Sequence, residues 1–297
     1  MGLDIGATKI LGAVVAADGT VLAQSREASA RGPDGVLAAA MTVLGRLAVA
    51  LDGVPPSHVG IGFPGIVDRG RGAVRHAVNL GIGGDWFPLA ERLAERTGAS
   101  IVVENDVRAA TWGAHVLSGA DDLGYISLGT GLAAGFVLNG ALRRGAYGAA
   151  GEIGHVPVTP DGARCSCGQR GCLELAAAAS AVTAAWPANG ESSPAVALFA
   201  AAAAGDPEAV AARDRYAAGV ADAIRMVGLV IDPSVIILGG GVTDLGEPLL
   251  VAATAALRAK AADSPFLAAL DLPGRVRLLP GQLPVGAIGA ALIGNAG

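Results

Sequence analysis

Short apolar runs that stop at glycine recur along the chain, and they set its architecture. The opening reads as a strand, a tight turn and a second strand, Leu3-Asp4-Ile5-Gly6-Ala7-Thr8-Lys9 followed by Ile10 to Val15; Asp18-Gly19 then marks a hairpin turn into Val21 to Gln24. Apolar positions at helical spacing predict a helix from Pro33 to Leu51. Val59-Gly-Ile61-Gly-Phe63 is a buried strand that runs into a loop at Pro64-Gly65, and Leu89 to Thr97 reads as a helix. Ile101-Val102-Val103 is a strand with Glu104-Asn105-Asp106 at its carboxyl end. There the opening scheme repeats. Asp122 to Leu128 is a strand, Gly129-Thr130-Gly131 a turn, and Ala133 to Leu138 a strand closing at Asn139-Gly140. Alanine-rich helices fill Leu173 to Val230, Val235 to Leu238 is a last strand ending in Gly239-Gly240-Gly241, and Leu283 to Ile293 is a terminal helix whose glycines imply close packing.

Composition narrows the classes. The 297 residues suffice for two domains with substantial cores. A net charge of −5 gives no electrostatic reason to bind nucleic acid, whose affinity rests on neutralising phosphates. The apolar run Ala195–Ala204 is too short to span a membrane, and the longer one from Leu173 is broken by Glu174 and Ser180. The start, Met-Gly-Leu-Asp, shows no charged leader before an apolar stretch, which points to a reducing cytoplasm. Lys9 and Lys260 are the only lysines, which draws the eye to Lys9 in its glycine-containing loop.

All three cysteines fall in one segment with a histidine: Glu152-Ile-Gly-His155, then Cys165-Ser-Cys167-Gly-Gln-Arg-Gly-Cys172-Leu-Glu174. Cys165 and Cys167 can grip one ion from a turn, Gly168 and Gly171 let the chain fold back, and Cys172 with His155 completes a tetrahedral zinc set. A disulfide plus one free thiol is the other reading an odd cysteine count permits, and a catalytic thiolate a third. Asp4-x-Gly6-x-Thr8-Lys9 places a carboxylate, backbone N–H groups, a hydroxyl and a cation where phosphate oxygens and hydrated magnesium could sit. Gly129-Thr130-Gly131 and Gly239-Gly240-Gly241 offer similar turns, each after an apolar strand, as a nucleotide held between two domains requires. There is no P-loop string, and Gly129-x-Gly131-x-x-x-Gly135 misses the dinucleotide spacing. Asn105-Asp106 fits a helix N-cap and a catalytic carboxylate equally well.

Together these motifs resemble the ROK family of sugar kinases and sugar-responsive repressors. Asp4-Ile-Gly6-Ala-Thr8-Lys9 looks like its first phosphate motif, Glu104-Asn105-Asp106 its catalytic strand end, Gly129-Thr130-Gly131 its second phosphate motif, and the histidine and cysteine segment its signature. The resemblance implies an α/β, actin-like (ribonuclease-H-like) fold of two domains with the site in the cleft. Residues 1–107 would form a small domain, joined by a returning helix over 284–297, and 108–283 a large one carrying the zinc motif. It also implies ATP and Mg²⁺ as cofactors, structural Zn²⁺, and phosphoryl transfer to the 6-hydroxyl of a hexose, glucose first and an N-acetylhexosamine, mannose or fructose behind it. Asp106 would be the general base. Gly65, Asn79, Asn105, Glu152, His155 and Glu174 would hold the sugar, and the three glycine turns the nucleotide. Homodimers or homotetramers follow from the same resemblance. The chain departs from the pattern at Ala133 and Ala134 and in a longer loop from Asn79 to Trp86. A repressor of this family carries a helix-turn-helix domain ahead of the first phosphate strand, where this sequence begins; a sugar sensor without catalysis would lack the base, and Asp106 is present.

Overall fold

A computed structural model describes residues 1–187, 192–280 and 283–295. The sequence expectations covering 188–191, 281–282 and 296–297, including the end of the terminal helix, lie outside the described residues. By contacts the chain forms two compact units, Met1–Asp121 with Phe136–Ala149 and Pro284–Gly297, and Asp122–Gly135 with Ala150–Leu283. The first unit thus extends past residue 107 to take in the helix after Asn105 and Phe136–Ala149, and the terminal helix packs back on it.

The first unit opens with β1 (Gly2–Ile5), β2 (Lys9–Val15) and β3 (Val21–Ala28), then α1 (Pro33–Val49) and β4 (His58–Phe63). A hairpin of β5 (Ile66–Asp68) and β6 (Ala73–Arg75) precedes α2 (Leu89–Thr97), β7 (Ser100–Asn105) and α3 (Asp106–Ser118). The sheet order is β3-β2-β1-β4-β7, antiparallel through the opening meander and parallel from β1 to β4 to β7. Helix α1 starts at Pro33, whose missing N–H costs nothing there, and buries Val36, Leu37, Ala40, Val43, Leu44 and Leu47 at helical spacing. Each of the valines and leucines removed from water contributes roughly 1.5–3 kcal/mol.

The second half repeats the plan: β8 (Leu123–Leu128), β9 (Leu132–Leu138) and β10 (Ala141–Arg143) come first. The alanine-rich stretch resolves into α4 (Glu174–Ala177), α5 (Ala179–Ala185), α6 (Pro194–Ala203) and α7 (Pro207–Ile231). Ser193 and Asp206 supply the side-chain caps that start α6 and α7, each just before a proline. Then follow β11 (Val235–Gly239), α8 (Glu247–Ala261), α9 (Pro265–Ala269), α10 (Leu272–Arg275), β12 (Val276–Leu278) and α11 (Val285–Leu292). The second sheet runs β10-β9-β8-β11-β12, with β11 parallel to β8 and to β12. Both sheets therefore place the first strand of a three-strand meander beside a later parallel strand, and in each the meander's first turn carries glycine. This doubled layout is the ribonuclease-H-like repeat of an actin-like fold.

Helix α11 belongs to the first unit, where it lies on β1, β4 and α3. Glycine makes the approach possible. A Cβ on Gly2 or Gly60 would collide with the α11 backbone at Ala287 or Ala290, and one on Gly289 with Ala109 of α3. Leu3, the next residue of β1, points to the other side of the sheet, where Gly12 leaves room for Val43 and Leu47 of α1.

Candidate active site

In the first unit the chemistry gathers at the carboxyl ends of β1, β4 and β7. The turn after β1 is closed by Gly6 N–H donating to the Lys9 carbonyl at 2.9 Å. Ser29, at the end of β3, pins the same turn: its hydroxyl donates to the Gly6 carbonyl at 2.7 Å and its N–H to the Thr8 carbonyl at 3.1 Å. The side chains of Thr8 and Lys9 are exposed, and Asp4 is half-buried at the base of the turn. Glycine at 286 keeps α11 close to Asp4, since a Cβ there would press on the Asp4 carboxylate.

Asn105 and Asp106 realise both readings of their motif. The Asn105 side chain caps α3, accepting from the N–H groups of Val107 at 3.1 Å and Arg108 at 3.3 Å. Its Nδ2 donates to Asp106 Oδ1 at 3.0 Å, and that oxygen also accepts the Val107 N–H at 2.9 Å. The Asp106 carboxylate thus sits at a helix N-terminus, where the backbone dipoles favour negative charge. Gly65 joins the group through its carbonyl, 3.5 Å from Asn105 Nδ2, and its φ of 87° is one glycine adopts readily. Asn79 is on an exposed 3-10 turn, Val78–Leu80, after the β5–β6 hairpin. Arg75, the last residue of β6, stacks 4.4 Å above the ring of Trp86 in the loop beyond that turn.

Burial pushes the Asp4 carboxyl up to about 7; the Asp106 charge adds to this and Lys9 opposes it. The sign follows. Between pH 4 and 7 the folded chain holds a proton that the unfolded chain has lost, so this group's contribution to stability declines as pH rises through that window and is constant above it. The difference is on the order of 2–4 kcal/mol. In metal-free, ligand-free protein, Asp4→Asn is therefore expected to raise Tm at pH 8 and to flatten the Tm slope between pH 5 and 7; a variant less stable than wild type at pH 8 would overturn this account of Asp4.

In the second unit, Gly129, Thr130 and Gly131 turn the chain from β8 to β9, and Gly239, Gly240 and Gly241 end β11 beside them. A Cβ on Gly240, at φ 88°, would strike the Leu128 backbone, so the two glycine turns adjoin at the strand ends. Glu174, the first residue of α4, accepts the Leu132 N–H at 3.1 Å, and a Cβ on Gly131 would crowd its carboxylate. Gly151 and Gly154 lie flat on β9, where side chains would collide with the carbonyls of Ala134 and Leu132. That packing sets Glu152, exposed, and His155, half-buried, along the strand.

His155, Cys165, Cys167 and Cys172 converge, their ligand atoms all within 4.8 Å of one another. His155 presents Nδ1, 3.9 Å from Cys165 Sγ, and Cys167 and Cys172 sulfurs are 3.6 Å apart. The cysteines are free thiols, so the disulfide reading is not the arrangement seen. The backbone N–H of Gln169 draws the exposed Cys167 thiol down to about 6, whereas burial pushes Cys172 up to about 12. Glu174 Oε1 is 3.8 Å from Cys165 Sγ, which places this carboxylate between the cysteine cluster and the Gly129–Gly131 turn.

The sequence matches the ROK family over residues 1–274. The chain belongs to the ROK family. It is 34% identical over 277 residues to a glucokinase of Streptomyces coelicolor, covering 84% of both chains. It is equally 34% identical, over 244 residues and 82% of each chain, to an N-acetylmannosamine kinase of Yersinia pseudotuberculosis. Among solved structures, a ROK family glucokinase from Streptomyces griseus in complex with glucose and AMPPNP superposes with a TM-score of 0.80 at 33% identity, covering 98% of this chain and 97% of that one.

Two features of this ROK chain escaped sequence reasoning. Ser29 carries no motif, and only the return of β3 to the first turn shows what it does. Glu104 enters the sequence reading only as part of the Glu104-Asn105-Asp106 strand end, with no role of its own, yet it is a buried carboxylate with arginine partners from distant segments. Among the described residues no helix is long and apolar enough to cross a membrane.

Proposed function

We propose that this ROK chain is an ATP-dependent hexose kinase that moves the γ-phosphate of ATP to the 6-hydroxyl of glucose. The observation that carries the reading is the Asp106 carboxylate, held at the start of α3 by Asn105 and by the Val107 N–H, in the unit whose β1 and first turn carry Asp4 and Gly6. Asp106 accepts the proton of the sugar hydroxyl as that oxygen bonds to the γ-phosphorus; the bond from phosphorus to the β,γ-bridging oxygen breaks and ADP departs with its electron pair. The backbone N–H groups of the turns at Gly6, Gly129–Gly131 and Gly239–Gly241, with Thr8, Thr130 and Lys9, cradle the phosphates. Asp4 would hold a hydrated magnesium ion, which would supply positive charge to neutralise the transferring phosphate.

Gly65, Asn79, Asn105, Glu152, His155 and Glu174 hold the sugar hydroxyls, the carboxylates each accepting from two. The four donors His155 Nδ1, Cys165, Cys167 and Cys172 suit structural Zn²⁺ by type, number and spacing. With Nδ1 on the metal, the His155 tautomer would be fixed and Nε2–H would be free to meet the sugar. A reducing cytoplasm, which keeps these thiols available, and a homodimer or homotetramer complete the reading.

The N-acetylmannosamine kinase relative favours a second acceptor class, an N-acetylhexosamine. A coupled ADP-release assay with ATP and magnesium over glucose, mannose, fructose, N-acetylglucosamine and N-acetylmannosamine separates them. Glucose is expected to give the highest kcat/KM. Preference for an acetylated sugar would move the substrate, and no turnover on any of the five would overturn the kinase reading.

A further inference from the structure

Glu104 occupies the second-last position of β7 with 2% of its surface exposed. A carboxylate so deep costs several kcal/mol unless charge and hydrogen bonds compensate it. Three arginines from three separate segments do so. Arg144, just past β10, places Nε 2.7 Å from Oε2; Arg69, in the β5–β6 turn, stands 3.8 Å from the same oxygen; and Arg108, in the first turn of α3, reaches within 3.7 Å of Oε1. Arg108 also donates to the Gly148 carbonyl, so the cluster ties α3 to the segment after β10. Replacing a buried ion-pair cluster by apolar residues of similar volume is often neutral or stabilising, so such a cluster is weak evidence of a stability role alone.

The bond that matters for the chemistry is shorter in sequence. Glu104 Oε1 accepts the backbone N–H of Asn105 at 3.1 Å. Asn105 in turn caps α3 and donates to Asp106 Oδ1. A line of contacts therefore runs from the Arg144 guanidinium through the Glu104 carboxylate to the Asn105 backbone N–H, and from the Asn105 side chain to the Asp106 carboxylate.

We propose that Glu104, clamped by Arg144, is a positioning residue for phosphoryl transfer that fixes the β7–α3 junction and with it the aim of Asp106. The proposal rests on the kinase reading above. Misplacement of a catalytic group by even about 1 Å can cost on the order of 100-fold in rate, whereas sugar hydroxyls held by several other groups tolerate it. The loss should therefore fall on kcat.

The test compares wild type, Glu104→Gln, Arg144→Gln and the double variant. Glu104→Gln keeps the volume and the acceptor for Asn105 N–H and removes the charge; Arg144→Gln breaks the same pair from its more exposed side, should the first variant fail to fold. With kcat counted per glucose-binding site titrated by calorimetry, each single variant is expected to lose roughly 10–100-fold in kcat with KM for glucose and ATP within about threefold. The double variant should lose no more than the worse single one. A wild type without turnover would overturn the kinase reading and this proposal with it. An active wild type with either variant at full kcat, with losses confined to the fraction of binding sites, or with fully additive losses would overturn the proposal alone.

Discussion

Asp106→Asn is expected to lower kcat by roughly 10²–10⁴-fold while glucose affinity, read by calorimetry, stays within about threefold. The geometry makes the substitution a clean one. Asp106 Oδ1 accepts from Val107 N–H and from Asn105 Nδ2, and an asparagine carbonyl at 106 can accept both. The cap of α3 belongs to Asn105 and is untouched, so the helix should start where it does now. What disappears is the negative charge and the lone pair that takes the hydroxyl proton. A second readout accompanies the first: with that charge gone, one of the two influences raising the Asp4 carboxyl is removed and its titration should move to lower pH. Full activity in Asp106→Asn would refute the base assignment. A variant that loses glucose binding and turnover in proportion would make Asp106 a sugar ligand and leave the base elsewhere.

How much of this site could be seen in the sequence depended on how local each signal was. Asp4 with Gly6, the Gly129–Gly131 turn and Gly239–Gly241 were legible because a buried strand is an apolar run and a turn at its end needs glycine, both within ten residues. Helices α1 and α2 were legible from spacing, with α1 ending at Val49, two residues before the expected Leu51. The short strands β5, β6, β10 and β12 have three residues each, too few for a period to register. The alanine-rich stretch read as helical without its breaks, because alanine favours helix everywhere and marks no ends. The glycines of the last helix announced close packing, but the partners that require it, Gly2, Gly60 and Ala109, lie far off in the sequence, in the first half of the chain. Glu104 is the sharpest case. A charged residue on a strand normally argues for exposure, and only the arrival of Arg144, forty residues on, makes its burial tolerable.

The cysteine cluster gives the other large effect. Cys167 is the exposed member of the set, whereas Cys172 is 1% exposed and packed in the core. Cys167→Ser therefore tests the ligand role without opening a cavity. Zinc content, measured on purified protein, is expected to fall from about one ion per chain to well below half, and glucose affinity to fall about 10–100-fold with it. The coupling of the two has a structural cause. His155 joins the cluster through Nδ1, and Glu174, which contacts both Cys165 and the Leu132 N–H, links the cluster to the turn that opens β9. Loss of the ion would free the His155 ring and let the carboxylate turn away from that strand. Treating wild type with a chelator should reproduce the affinity loss, and added zinc should reverse it in wild type but not in Cys167→Ser. Full zinc occupancy in the variant would remove Cys167 from the ligand set; zinc lost with glucose affinity intact would leave the cluster a fold element and take His155 out of the sugar site.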